Sequence, residues 1–271
     1  MIRLAISDSC TDCDFYLEEH KKFYKRCRRP ELFSKYAAAF EKEWLSMRNL
    51  QEKYPDLTCF PSYLHYGLDK KSAPYICMEY IPGITLEQYL VKHYDSLRPL
   101  PADILTPRQL RRTMEQVYEM LSVLCSCGIL YFDLSPSNMI ITNTDTFDLA
   151  CIDFTFCYDQ TISPAENRAL SYKRNDSRLN PNYPVSLQIT NAMLFFFVQL
   201  FYPGKTAYIR HFSRQTVTDF FEPRYGNHFH TLFGALDDFT RHDLADMENP
   251  PGQNHLFWLS RCYEKLMRSL L

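Results

Sequence analysis

Three polar side chains follow or interrupt short apolar runs in the middle of the chain. Asp133 and Asn138 lie in the segment YFDLSPSNMII, and Asp153 follows the run FDLACI. Because a strand, a polar turn and a second strand would form a hairpin, we expect Asn138 and Asp153 to lie close together. Mg²⁺ takes oxygen ligands and is usually held by one or two side chains plus phosphate oxygens. The pattern therefore predicts a metal site at Asn138 and Asp153 and leaves Asp133 as a base.

Two helices are predicted to support this region. Residues 31–53 carry apolar side chains at three- and four-residue spacings, which is typical of an amphipathic helix. Residues 106–127 begin with Thr106 as N-cap and Pro107 at the first helical position, and they end before Gly128. The second helix would lead directly into the segment that contains Asp133.

The distribution of these elements predicts an α+β fold with two unequal lobes. Residues 1–80 are rich in strand signals around one helix, with hairpins predicted at 14–27 and 59–81, and the remainder is mostly helical. The apolar stretch 192–202 is far shorter than the roughly 20 residues that a membrane span needs. We interpret it as a buried helix and expect no membrane span.

Composition limits the classes of partner and compartment. The chain has 271 residues, is 46% hydrophobic and has a formal net charge of -2, which predicts a globular protein without a basic surplus. We therefore expect no nucleic-acid partner. The N-terminus lacks the features of a signal peptide, so the ten cysteines are predicted to be reduced thiols in a cytoplasmic protein.

With these elements assigned, the sequence resembles the eukaryotic-type protein kinase superfamily. That family carries a catalytic-loop Asp, an Asn five residues later and a following Asp-Phe-Gly. Asp133 and Asn138 match the first part, and Asp153-Phe154 match the second. The run YICMEYIPGITLEQYL is similar to the strand, hinge and helix that receive adenine. The resemblance implies a bilobal protein kinase-like fold, with an N-terminal lobe at 1–80 and a C-terminal lobe at 81–271.

The resemblance also implies ATP and Mg²⁺ as cofactors and a role for each site residue. Asp133 would accept the hydroxyl proton of the acceptor, and Asn138 and Asp153 would hold the metal. Lys25 would hold the phosphates, oriented by Glu43 on the following helix, with Lys22 as the competing choice. The segment implied to receive adenine comprises Met78 as gatekeeper and the hinge residues Glu79, Tyr80 and Ile81.

Three substitutions near the site depart from the family pattern. Phe132 replaces an Arg, so a phosphorylated activation loop would lack its usual anchor. Ser135 stands where serine/threonine protein kinases usually carry a Lys. Thr155 replaces the Gly after Asp153-Phe154, and this should restrict the conformations of that segment.

Further departures lie away from these three positions. The earliest glycine is Gly67, so no glycine-rich loop precedes it, and the acidic segment 7–14 stands in its place. That segment could be a solvated hairpin turn or could lie over the nucleotide. No Ala-Pro-Glu closes the segment after Asp153, and Asn191 stands where an Asp is usual.

The departures leave the acceptor open. A protein Ser/Thr hydroxyl is favoured by Leu134-x-Pro136 and by the long segment before the buried helix. A small-molecule kinase is the first alternative, with carboxylates in 205–250 available for a cationic acceptor. A pseudokinase that acts as a binding scaffold is the second alternative. The acidic candidates are Asp237, Asp238, Asp243, Asp246 and Glu248.

Overall fold

The structure is a computed structural model in which part of the chain is described. The described residues are 1–4, 12–94, 104–155, 157–159, 189, 192–193, 196–197, 199–201, 259–260, 263–264 and 267–268.

The N-terminal lobe is an antiparallel sheet covered by one long helix. Its strands follow the order β1-β2-β3-β5-β4, and α1 (Phe33–Lys53) lies between β3 and β4 in the chain. The two predicted hairpins are confirmed, as β2 with β3 and as β4 with β5. The strands are β1 (Ile2–Leu4), β2 (Cys13–Glu18), β3 (Lys22–Cys27), β4 (Tyr63–Leu68) and β5 (Pro74–Glu79).

The helix α1 forms because one face of the predicted amphipathic segment can be buried against the sheet. Tyr36, Phe40, Met47 and Leu50 recur at helical spacing and are all buried. The predicted helix is therefore confirmed, and it begins at Phe33 after the short turn of Pro30–Leu32. This packing brings the middle of α1 under the sheet.

The C-terminal lobe begins with a short strand and two helices. The strand β6 pairs with β8, which pairs with β9, and β7 pairs with β10. This arrangement confirms the predicted hairpin between Asn138 and Asp153. The elements are β6 (Ile84–Thr85), α2 (Leu86–His93), α3 (Pro107–Ser126), β7 (Ile129–Leu130), β8 (Met139–Asn143), β9 (Asp148–Cys151) and β10 (Tyr158–Asp159).

Local sequence signals explain how α3 starts and how the two lobes are connected. Thr106 forms a capping box with Gln109, and Pro107 occupies the first turn, as predicted. Gly83, between the lobes, has φ +147° and a Cβ added there would lie 2.3 Å from the Ile141 carbonyl oxygen. Only glycine fits this close approach.

The described residues of the stretch 192–202 are buried, and most of them are helical. Met193, Phe196 and Phe197 are helical and fully buried. No helix among the described residues combines the length and the apolar character needed to cross a membrane. Residues 160–185 of the segment after Asp153, Asn191 and the acidic candidates in 205–250 lie outside the described residues.

Candidate active site

Lys25 is placed at the site by the register of the sheet. It lies on β3, and β3 pairs with β5 so that Lys25 faces Ile76 and Phe23 faces Met78. Because directly opposed residues and alternate residues share one face of a sheet, Lys25 and Met78 lie on the same face. Lys22, the competing choice, is exposed and pairs with Glu18.

The Lys25 ammonium is buried among oxygen atoms. Nζ donates to Asp153 Oδ1 at 2.6 Å and to Thr155 Oγ1 at 2.6 Å. Burial alone would lower the pKa of Lys25, but the charges of Asp153 and Glu43 outweigh this effect and the pKa is raised. Lys25 therefore remains a cation when buried.

Glu43 lies on α1 and is fully buried. Its carboxylate accepts hydrogen bonds from the Tyr63 hydroxyl at 2.6 Å, the Phe154 backbone N–H at 3.1 Å and the Thr155 hydroxyl at 2.6 Å. Burial raises the pKa of the Glu43 carboxyl, and the charge of Lys25 opposes this only in part. We refer to Lys25, Glu43, Tyr63, Asp153 and Thr155 as the Lys25 cluster.

The link between Lys25 and Glu43 differs from the one that the family resemblance implies. Within the described part of the chain these two residues form no direct ion pair, and Thr155 bridges them. The sequence singled out Thr155 only as a replacement for glycine, and it gave no role to Tyr63. The unusual residue after Asp153-Phe154 was the one available signal for this bridge.

Asp133 and Asn138 are held together by the loop that joins β7 to β8. The Asn138 side-chain amide donates to the Asp133 carbonyl at 2.8 Å, and both side chains are partly exposed. The Ile152 N–H donates to the Asn138 carbonyl at 2.9 Å. Since Ile152 precedes Asp153, this bond ties the catalytic-loop residues to the second carboxylate.

Asp153 has an unusual backbone conformation. Its φ is 64°, in the left-handed region, which Asp and Asn adopt more readily than most other residues. The next side chain, Phe154, is fully buried, with its ring centroid 4.9 Å from that of Tyr131 and 5.7 Å from that of Phe60. Tyr131 also donates to the Ile152 carbonyl at 3.0 Å. The apolar core therefore anchors the backbone on both sides of the Asp153 carboxylate.

The residues predicted to receive adenine form the end of β5 and the connection to the second lobe. Met78 is buried, whereas Glu79 is exposed and Tyr80 and Ile81 are partly buried. The N–H of Glu79 donates to the Ser62 carbonyl at 2.7 Å, and that of Tyr80 donates to the Lys21 carbonyl at 2.8 Å. Neighbouring strands therefore fix this segment.

Two of the three acids in the segment 7–14 have structural partners. Asp14 pairs with Arg3 at 2.6 Å, and Asp12 pairs with Arg29 at 3.1 Å. These ion pairs suit the interpretation of a hairpin better than a role over the nucleotide. Asp8 lies outside the described residues.

Phe132 stands where the family usually has an Arg that anchors a phosphorylated activation loop, and Ser135 stands where serine/threonine protein kinases usually have a Lys. Phe132 is buried, and its ring centroid lies 6.3 Å from that of Tyr158 on β10. An apolar contact thus joins the catalytic loop to the strand after Thr155. Ser135 is also buried, with its hydroxyl oxygen 2.8 Å from that of Ser137.

A second buried charge lies next to Glu43 on α1. Lys42 donates to the Cys157 carbonyl, and Ser46, one turn further along the helix, donates to the Asp159 carboxylate. Burial lowers the pKa of Lys42 and raises that of Cys157 to about 12. We refer to Lys42, Ser46, Cys157 and Asp159 as the Lys42 cluster.

Comparison with known proteins identifies the family. A model of the protein kinase domain matches residues 20–173, which is more than half of the chain. The chain belongs to the protein kinase family. The structure is also similar to that of the Cydia pomonella granulovirus kinase PK-1, with a TM-score of 0.50 and 13% identity over 74% of this chain and 67% of the viral one. No curated protein matches the chain.

The bilobal kinase fold predicted from the sequence is therefore confirmed. Within it, the kinase departs from the family pattern at the bridge between Lys25 and Glu43 and in the apolar contact of Phe132. The boundary between the lobes at residue 80 stays a prediction, as do the site roles.

Asn138 and Asp153 offer oxygen atoms of the kind that bind magnesium. The Asn138 amide nitrogen is used by the Asp133 carbonyl, so its side-chain oxygen is the atom suited to a cation. The Asp153 side chain is 32% exposed. No group of three or more His, Cys, Asp or Glu side chains among the described residues could hold a metal ion. Mg²⁺ suits such a place because it fills its shell with phosphate and water oxygens.

Proposed function

We propose that this kinase is an ATP- and Mg²⁺-dependent phosphotransferase that moves the γ-phosphoryl group to a protein Ser/Thr hydroxyl. One observation supports this most strongly. Hydrogen bonds join the Asp133 carbonyl to the Asn138 side chain and the Asn138 carbonyl to the Ile152 N–H, and the next residue, Asp153, accepts from Lys25. These contacts support a common site for the buried Lys25 cation and for Asp133, Asn138 and Asp153.

Each residue has a role that its environment supports. Asp133 is partly exposed and accepts the proton of the attacking hydroxyl as the new O–P bond forms and the bond to ADP breaks. Lys25 remains charged and binds the phosphates, and Glu43 acts in its positioning. Mg²⁺ held by Asn138 and Asp153 would neutralise charge on the phosphate oxygens. Met78, Glu79, Tyr80 and Ile81 would line the adenine site.

The family match and the sequence pattern favour a protein acceptor. The matched family is the protein kinase domain, and Leu134 and Pro136, both buried in the catalytic loop, follow the pattern of protein kinases. The carboxylates proposed for a cationic small-molecule acceptor lie outside the described residues.

Calorimetric titration with ATP, with and without Mg²⁺, tests the metal and nucleotide site. We expect binding that is stronger with Mg²⁺ and an affinity reduced by about tenfold or more in Asp153→Ala and Asn138→Ala. The matched control is Asp148→Ala on β9, because Asp148 pairs with Arg112 on the surface. Absence of ATP binding in the wild type under both conditions would refute the enzyme proposal and favour the scaffold.

Transfer of labelled phosphate to a mixture of Ser/Thr peptides tests the role of Asp133. We expect Asp133→Asn to reduce the rate by about 10²-fold or more while ATP affinity stays within about threefold, because a general base acts on transfer and not on binding. An unchanged rate in this variant would remove Asp133 from the catalytic residues.

A further inference from the structure

We propose that the hydroxyl of Thr155 positions the phosphate-binding lysine by joining Lys25 to Glu43. The inference rests on the proposed function, in which Lys25 contacts the phosphates of ATP. Thr155, at a position where the family pattern has glycine, thereby gains a positioning role. Lys25 and Glu43 are 4% and 0% exposed, so the bridge lies in the buried interior, where a hydrogen bond is electrostatically stronger than in water.

The polarity of the two hydrogen bonds supports the bridge. A hydroxyl has one proton to donate and lone pairs to accept. Thr155 Oγ1 accepts from the Lys25 ammonium at 2.6 Å and donates to Glu43 Oε2 at 2.6 Å. Each bond has a charged partner, and charge-assisted hydrogen bonds are roughly twice as strong as neutral ones. The hydroxyl therefore transmits the position of the carboxylate to the ammonium.

The carboxylate that anchors this bridge is itself fixed. Glu43 Oε1 accepts from the Tyr63 hydroxyl on β4 and from the Phe154 backbone N–H. These donors come from the sheet and from the segment next to Thr155, while Glu43 belongs to α1. The bridge thus connects Lys25 to three separate parts of the fold.

The bridge matters most when Asp153 binds metal. Lys25 donates to only two side chains in the described structure, Asp153 and Thr155. A carboxylate that coordinates Mg²⁺ has less negative charge to share with an ammonium group. Thr155 then remains as the side chain that holds Lys25 in place. Thr155 is fully buried.

Isosteric variants separate the hydroxyl from the shape of the side chain. Thr155→Val removes both hydrogen bonds and keeps the branched shape, whereas Thr155→Ser keeps the hydroxyl. Thr113→Val on α3 is the matched control, because the Thr113 hydroxyl is buried without a hydrogen-bond partner in the described part of the chain. If Thr155→Val does not fold, Thr155→Ala takes its place.

Calorimetry with MgATP gives the functional readout. We expect Thr155→Val to weaken MgATP binding by about tenfold or more, because the hydrogen bonds that it removes have charged partners. The MgATP affinity of Thr155→Ser should stay within about threefold of the wild-type affinity. The affinity of Thr113→Val should equal that of the wild type. Wild-type affinity in Thr155→Val, or loss of affinity in Thr155→Ser equal to that in Thr155→Val, would overturn the proposal.

A double-mutant cycle without nucleotide distinguishes failure of the bridge from failure of the proposed function. The cycle combines Thr155→Val with Glu43→Gln and follows urea unfolding. We expect the effects on the unfolding equilibrium constant to be non-additive by about threefold or more. Additive effects would overturn the bridge whether or not ATP binds. Non-additivity without MgATP binding by the wild type would refute the proposed function and, with it, the positioning role.

Discussion

The Lys25 cluster and the Lys42 cluster each contain a buried lysine and residues of α1, yet burial and nearby charge shift the pKa values of the two lysines in opposite directions. The Lys25 ammonium bonds to Asp153 and Thr155, and its pKa is raised. The Lys42 ammonium bonds to a backbone carbonyl, and burial lowers its pKa. Since the two residues are 4% and 6% exposed, burial alone does not explain the difference between their pKa shifts. At Lys25 the charges of Asp153 and Glu43 outweigh the effect of burial on the pKa, whereas at Lys42 burial outweighs the charges of Glu43 and Asp159.

This difference suits the two clusters to different tasks. A lysine whose charge is stabilised by nearby carboxylates can attract phosphate. A lysine bonded to the Cys157 carbonyl instead fastens α1 to the segment after Thr155, where Ser46 adds a second attachment through Asp159. Lys42 and Glu43 are adjacent on α1, so one turn of helix contributes to both clusters.

The largest effect on stability is expected from Lys25→Met. This change leaves Asp153 and Glu43 as carboxylates without their buried counter-charge, so the free energy of unfolding should fall by about 3–5 kcal/mol. Urea unfolding measures it. Lys22→Met is the control on the same strand, and because Lys22 is exposed and pairs with Glu18 at the surface, we expect little change. Equal losses in the two variants would contradict the distinction between these lysines.

A smaller effect is expected from Tyr63→Phe in the Lys25 cluster. The change removes one donor from the buried Glu43 carboxylate, which should lower the free energy of unfolding by about 1.5–3 kcal/mol. Tyr66→Phe is the matched control on β4, because Tyr66 donates to the exposed Glu41. The two variants compare the same chemical change at a buried and an exposed carboxylate. A larger loss in Tyr66→Phe would contradict our account.

Ser46→Ala tests the Lys42 cluster. It removes the hydrogen bond to the buried Asp159, and the free energy of unfolding should fall by about 1–2 kcal/mol. The control is Ser122→Ala, since the buried Ser122 hydroxyl oxygen has no hydrogen-bond partner among the described residues. We expect the control to match the wild type in the same unfolding measurement. If both serines can be removed without loss, Ser46 does not fasten α1 to the segment that follows Thr155.

The catalytic loop could be predicted from sequence because its residues are close together in the chain. Asp133 and Asn138 are five residues apart, and a hairpin of local sequence brings Asp153 to them. Apolar spacing and Thr106-Pro107 likewise predicted the two long helices. These signals act within one or two elements, so they need no knowledge of the tertiary fold.

The Lys25 cluster could be predicted only in part because it joins distant segments. Lys25 and Asp153 are 128 residues apart, and Glu43 and Thr155 are 112 residues apart. Within YLHYGL, nothing in the residue types separates Tyr63 from Tyr66. In the structure Tyr63 is buried whereas Tyr66 is not, and the pairing of β4 with β5 is irregular between Tyr63 and His65. Register and burial depend on packing, which the local pattern does not contain.

The smallest effect at neutral pH is expected from Lys42→Met. The lowered pKa of Lys42 shows that the cost of burying its ammonium group exceeds the attraction of Glu43 and Asp159. The methionine avoids this cost but loses the hydrogen bond to the Cys157 carbonyl, so the free energy of unfolding should change by less than about 1 kcal/mol. A loss of about 3 kcal/mol or more in urea unfolding would show that Lys42 is stabilised as strongly as Lys25.

The dependence on pH gives the sharpest contrast between the two lysines. The folded pKa of Lys42 lies below the usual lysine value of 10.5, so its contribution to stability rises as pH increases toward that value. The folded pKa of Lys25 lies above 10.5, so its contribution is complete below 10.5 and is lost as pH rises through the folded pKa. Urea unfolding at several pH values gives the free energies of unfolding of the wild type, Lys42→Met and Lys25→Met. The wild-type-minus-variant difference should rise with pH toward 10.5 for Lys42→Met and fall with pH above 10.5 for Lys25→Met. Differences that change in the same direction would mean that burial, and not the partner, governs both lysines.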